Sequence, residues 1–249
     1  MKKIIFALLA LTIVFACKDD NETDTVEAGT INLEFANTID NNPIVLNSTS
    51  YSNQSNESYT IAELKYIISN IVFIKENGDE FTYPVADSYF LINEEVPASK
   101  QFELSSIDAG VYTKIRFGFG VDQSNYPLNG VANFIPTAEE QGMLWSWSAG
   151  YKFLKFEGSY TPQGGTASDF ILHIGSHGEA LDNYKEITLD LISPINVNGN
   201  TSTININADV AKIFDSTNTH SLEDKSDIQV DPENAPKIAT NVQTMFEIQ

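Results

Sequence analysis

The sequence predicts an all-β fold, a single β-sandwich or barrel-like domain of about ten short strands with one or two short helices near the C-terminus. Three observations predict it. Apolar residues recur with a period of two, as in Ile31, Leu33 and Phe35 or Phe170, Leu172 and Ile174, the pattern of strands with one buried face. Turn signals such as Asp40-Asn41-Asn42-Pro43, Asn77-Gly78-Asp79 and Pro162-Gln163-Gly164-Gly165 punctuate those runs. A helical stripe occurs only late, where Ile238, Val242, Met245 and Phe246 are spaced i, i+4, i+7 and i+8.

The first residues belong to targeting. Lys2 and Lys3 precede an apolar run from Ile4 to Ala16 that is short for a membrane-spanning helix. Val14-Phe15-Ala16-Cys17 then reads as a lipoprotein processing site, with a small residue before the single cysteine of the chain. Residues 1–16 are expected to be removed as a signal peptide, Cys17 to carry the lipid that anchors the protein in the outer membrane, and residues 17–29 to form an acidic tether. One domain, 30–249, follows. Lys18-Asp19-Asp20 resembles the surface-export signal of Bacteroidota lipoproteins, which implies the outer face of the outer membrane, with the periplasmic face as the alternative. A lone cysteine leaves no intrachain disulfide.

The 249-residue chain carries a formal charge of −20, and loss of two lysines with the signal peptide makes it −22. That excess argues against nucleic acid and anionic lipid surfaces as partners. It suits cations, and equally suits a surface that is acidic for solubility.

Taken in order, Ile31 to Phe35 is a first strand and Ile44-Val45-Leu46 a short second one. Thr60 and Glu63 have capping-box spacing for one helical turn. Leu64 to Ile74 is β-branched and aromatic, hence a buried strand. Asn77-Gly78 turns the chain into Phe81 to Val85 and Tyr89 to Ile92. Phe102 and Leu104 mark a short strand. Val111, Thr113, Ile115, Phe117, Phe119 and Val121 form the cleanest alternating face. Residues 122–136 are irregular, and a helical turn is expected between Pro136 and Gly142. A strand from Met143 to Gly158 would then place Trp145 and Trp147 on one side. Strands at Phe170 to Ile174, Ile187 to Leu191 and Ile204 to Ala208 follow, with helical turns at Asp209 to Phe214 and near the C-terminus.

Catalytic patterns are absent. The cysteine is assigned to lipidation, and no nucleophile elbow, phosphate-binding loop or H-E-x-x-H run occurs. The chain is therefore not expected to be an enzyme. Phe117-Gly118-Phe119-Gly120 sits inside a strand, which is the wrong context for a nucleotide. Glu139-Glu140 and Glu94-Glu95 read as solvated faces, and the acidic loops at 215–218 and 224–231 lack EF-hand spacing. The histidines are His173, His177 and His220. His173 alternates against Phe170, Leu172 and Ile174 and is open between metal ligand and buried structural histidine. His177 lies in the glycine turn that ends the same strand, so a loop can bring both imidazoles together. His177 and His220 are expected in solvent-exposed loops.

An ordered set of motifs completes the picture. It comprises Tyr66-Ile67-Ile68-Ser69-Asn70-Ile71, Phe117-Gly118-Phe119-Gly120-Val121-Asp122, the run from Gly142 to Phe153 that holds Trp145-Ser146-Trp147, Lys155-Phe156-Glu157-Gly158, Leu172-His173-Ile174-Gly175, and Met245-Phe246. Together these resemble the MbnP-like family of exported copper-associated proteins, first recognised beside methanobactin operons. The resemblance implies an all-β fold and, in copper-binding members, a site made of histidines and a tryptophan oxidised to kynurenine by a partner dihaem enzyme. Carried onto this chain, His173 is the matching histidine, helped by His177, and Trp145 or Trp147 is the residue modified. The family pattern has a histidine near the position of Asn37, and Asn is a poor copper ligand. The alternative is a non-metal β-sandwich surface lipoprotein that binds a glycan or protein partner, with the tryptophans as core or stacking platform.

Overall fold

Fourteen strands and two α-helices lie along the residues described in the computed structural model, which are 26–125, 128, 132–147 and 150–249. The signal-peptide and lipidation readings, Cys17 included, fall outside the described residues. The first strands are β1 (Gly29–Ile39), β2 (Asn42–Pro43), β3 (Tyr51–Ser52), β4 (Ser58–Lys75), β5 (Glu80–Thr82), β6 (Tyr89–Asn93), β7 (Gln101–Ile107) and β8 (Gly110–Phe119). Helix α1 (Ile135–Glu140) precedes β9 (Lys152–Thr161), β10 (Ser168–Gly175), β11 (Lys185–Val197), β12 (Thr201–Asp209) and β13 (Asp227–Ile228). Helix α2 (Asn234–Gln243) and β14 (Phe246–Ile248) close the chain.

Two sheets form an all-β sandwich, as the alternating pattern predicts. The smaller runs β14-β12-β1-β2 with β7 on β1, and β1 pairs with β12 in parallel from Thr30 opposite Thr201 to Thr38 opposite Asp209. The larger runs β11-β8-β4-β9-β10-β13, with β3, β5 and β6 also on β4. Between the sheets Phe35, Phe117 and Phe246 pack edge-on, with Phe117 and Phe246 centroids 5.2 Å apart, the geometry aromatic quadrupoles favour. Where the chain enters β1, Glu27 accepts a hydrogen bond from the Gly199 amide in the β11–β12 turn.

Four local expectations are corrected. Thr60 to Glu63 is part of β4, because the apolar side chains at Tyr59, Ile61 and Leu64 are worth more buried in the sheet than a lone capped turn. The second strand is Asn42–Pro43; Ile44 is instead tied by its amide to the Asn37 carbonyl. The alternating face of β8 breaks where Lys75 pairs with Tyr112 but Ile74 pairs with Lys114. The extra residue turns Tyr112 inward and leaves Val111 exposed. Phe246 lies in β14 rather than on the helical stripe, since α2 ends at Gln243.

The Trp-Ser-Trp segment is not a strand either. Among its described residues only Leu144 makes a bridge, to Tyr151, and the Trp145 amide bonds to the Gly150 carbonyl. Gly150 supplies a φ of 135° there, a conformation that side chains disfavour.

Candidate functional site

The outer face of the larger sheet carries a row of polar side chains in register. Lys65 on β4 stands opposite Lys155 on β9, which stands opposite His173 on β10. A bulge extends the row. Leu154 pairs with Ile174 but Lys152 pairs with Gly175, so Phe153 is the extra residue. Phe153 points into the core, edge-on to Phe119, and Lys152 is re-aimed onto the face of Lys155 and His173.

Trp145 roofs this face. The Met143 amide bonds to the Ala138 carbonyl at the end of α1, and the Lys152 amide to the Met143 carbonyl, both at 2.7 Å. Those bonds fix the segment that delivers the indole. Trp145 is 5 % exposed, and its ring centroid lies 6.2 Å from His173 and 5.2 Å from His177. The Lys152 ammonium sits 5.4 Å from the ring centroid, a cation–π distance. Trp147 is 57 % exposed; it lies 5.2 Å from Trp145 and stacks on His177 at 5.7 Å with 14° between planes.

His177 is held over the indoles by the loop that follows β10. Its amide bonds to the Leu181 carbonyl, Ser176 donates to Asp182, and Asn183 donates to the Gly175 carbonyl. Two buried nitrogens here have no hydrogen-bond partner among the described residues, Trp145 Nε1 and His177 Nε2. Orphaned buried donors and acceptors are costly and call for a partner such as a water, an ion or a ligand.

His173 Nε2 lies 2.7 Å from Glu157 Oε1. Glu157 belongs to a charge ladder in which Lys155 bridges it (3.4 Å) to Glu63 (2.7 Å), and Glu63 binds Lys65 (2.6 Å). Burial pushes the His173 imidazole below its ordinary 6.5, with Lys152 and Lys155 adding to that and Glu157 opposing it. Burial alone lowers His177. Both imidazoles are therefore neutral at neutral pH, the form that ligates metals.

The four residues singled out in the sequence, His173, His177, Trp145 and Trp147, thus come together. His220 does not, and its expected exposure is corrected: it is buried, stacked on Phe214 and bonded through Nε2 to the Lys225 carbonyl at 2.8 Å. Asn37 is on the other side of the sheet. It is buried in the sandwich, donating to Glu94 and accepting from the Tyr66 hydroxyl, and Tyr66 alternates with outward-facing Lys65. Asn37 is therefore not part of the cluster around Trp145. Among the described residues no group of three or more His, Cys, Asp or Glu is placed to hold a metal. The roles of Glu157 and Lys152 escape sequence reasoning; alternation against buried Leu154 and Phe156 does put Lys155 and Glu157 on one face, but the bulge that adds Lys152 has no sequence signal.

Comparison with known proteins bears on the fold and the family. No curated protein matches the chain. Among solved structures it is similar to MbnP from Methylosinus trichosporium, with a TM-score of 0.54 at 12 % identity, covering 86 % of this chain and 88 % of that one. That likeness is one of fold. The MbnP family model matches residues 28–235, most of the chain and the whole stretch from β1 into α2. The chain belongs to the MbnP family.

Proposed function

We propose that the protein is an exported, membrane-anchored lipoprotein of the MbnP type that binds copper through His173 and His177, with Trp145 as the residue oxidised to kynurenine. It acts as a binding protein rather than an enzyme. One observation carries this reading: a buried indole whose Nε1 has no partner among the described residues lies 6.2 Å from one imidazole and 5.2 Å from another, the second with an unpartnered Nε2. Family membership supports it, as does the preference of imidazole for copper.

The donor set fits copper with a qualification that the chemistry resolves. Two histidines fall short of the three-ligand sets typical of zinc sites, and the indole ring offers no lone pair. Oxidative cleavage of the Cγ–Cδ1 bond by an oxygen- or peroxide-level oxidant delivered by a partner enzyme would give the ketone and an N-formyl group, and water would then release Cδ1 as formate, leaving Nε1 as an aromatic amine beside the ketone. Both are donors at the position where Nε1 is now stranded. Trp145 suits this role better than Trp147, which is exposed and touches His177 but not His173 among the ring contacts. A dihaem enzyme is the partner that would perform the oxidation. The Val14-Phe15-Ala16-Cys17 site and the acidic run after it support lipid anchoring at Cys17 in the outer membrane, with the domain at the cell surface.

The test is intact mass and elemental analysis of protein from its copper-fed native host. The expected result is a mass change equal to one carbon exchanged for one oxygen, mapped to Trp145, with bound copper. Trp145→Phe is expected to lose both. Unmodified tryptophans and copper-free protein from that host would overturn the reading. The glycan-platform alternative needs exposed paired indoles away from histidines, and a buried Trp145 beside His173 disfavours it.

A further inference from the structure

The structure assigns Glu157 as the positioning residue of the site: it holds His173 as the Nε2–H tautomer and so leaves Nδ1 as the only nitrogen able to donate to a metal. Glu157 Oε1 is 2.7 Å from His173 Nε2. A carboxylate can only accept, so the imidazole must donate from Nε2, and the lone pair of the neutral ring then resides on Nδ1. Among the described residues no hydrogen bond occupies Nδ1. A histidine whose far nitrogen is tied to a carboxylate is the arrangement that orients metal-ligating rings and raises their basicity.

The carboxylate is itself fixed from behind. Lys155 contacts both Glu157 and Glu63, and Glu63 is clasped by Lys65 on its own strand and by Lys155 on the neighbouring one. Burial raises the Glu63 carboxyl, but its hydrogen bonds to Lys155 and Lys65 outweigh that and hold it below its usual range. The ladder runs across β4, β9 and β10, so strand pairing sets the direction of the His173 ring. All five side chains are largely shielded from solvent, where such pairs are less screened than on a surface. The Nε2–H part of the inference stands on this geometry alone; the metal-donor part rests on the copper reading above.

Long-range 1H–15N NMR of the His173 ring in metal-free protein tests the tautomer, and competition with a copper chelator tests the donor. In the parent protein the Nε2–H pattern is expected. Glu157→Gln, whose amide oxygen still accepts, is expected to keep it, and Glu157→Ala to lose it while His220 is unchanged. Copper binding is expected to weaken about 10–100-fold in Glu157→Ala, the range for lost outer-shell partners. An Nδ1–H pattern in the parent, or an unchanged pattern and affinity in Glu157→Ala, overturns the inference. Intact tautomer behaviour in a parent protein that binds no copper would instead sink the copper reading and limit Glu157 to holding the ring.

Discussion

The Trp145 indole lies directly on Gly175. A methyl group built at Gly175 would collide with the Tyr151 carbonyl oxygen and stand 3.2 Å from Trp145 Cζ2 and 3.3 Å from Nε1. The glycine that ends β10 is therefore the floor on which the roof of the site rests.

Gly175→Ala should displace the indole and shift the β9–β10 edge. Overpacking of this kind costs about 1–3 kcal/mol. Urea unfolding should show the loss, and Trp145 emission should move to longer wavelength as the ring gains water. An unchanged midpoint and spectrum would mean the indole does not sit on Gly175.

The two tryptophans should be spectrally distinct in unmodified protein. Trp147→Phe leaves the buried Trp145 and should emit at shorter wavelength than Trp145→Phe, which leaves the exposed Trp147. Removing Trp147 should change stability by no more than about 0.5 kcal/mol, the usual range for a surface side chain. The reverse order of emission would contradict the assignment of roof and rim.

Glu57 pins two loops far from this site. It is 1 % exposed and accepts from Asn53, Ser221 and the amides of Leu222 and Glu223 at 2.5–2.9 Å. Burial raises its carboxyl, but those hydrogen bonds prevail and the net shift is downward from 4.5. Glu57→Ala strands several donors, each worth about 1–3 kcal/mol, so a loss above about 3 kcal/mol is expected in chemical unfolding. A near-neutral variant would show that water replaces the carboxylate without penalty.

Stability should fall as pH drops below about 6.5. His173, His177 and His220 are all held below the ordinary 6.5, chiefly by burial. The unfolded chain therefore takes up protons first, and the contribution present above 6.5 is lost progressively toward the lower folded values. Asp209 and Asp215, raised from 3.8 by burial, act in the opposite sense at lower pH. Melting temperatures from pH 8 to pH 5 check this, and His220→Phe, which can keep a ring on Phe214, should flatten the slope. A melting temperature that rises from pH 7 to pH 5.5 would contradict the burial of these rings.

The sheet order was beyond the sequence, but most strands were legible because alternation records which side chain faces the core. Ile31, Leu33 and Phe35 show it plainly. What alternation cannot record is a bulge. The extra residues in β8 and at Phe153 re-aim Tyr112 and Lys152, and no residue type announces them. The Trp-Ser-Trp loop misled for a related reason: aromatic residues two apart fit a strand, yet these are joined by stacking while the backbone turns back at Gly150. His220 looked like a polar loop residue because its burial depends on a partner, Phe214, that only tertiary structure supplies. Of the candidate site, the ligand-type residues were visible in the sequence and the carboxylate behind His173 was not.

The place where β1 enters the sandwich has a directional consequence. Glu27 and Gly29 lie by the β11–β12 turn, level with Gly110 at the start of β8, whose partner is Val197. Gly120, just past the far end of β8, lies against Phe153, beside the bulge that aims Lys152 at Trp145. The 10 residues of β8 separate those levels by roughly 30 Å. The point where the chain enters the sandwich and the Trp145–Trp147 cluster thus lie toward opposite ends of β8, so a partner held at one would not touch the other.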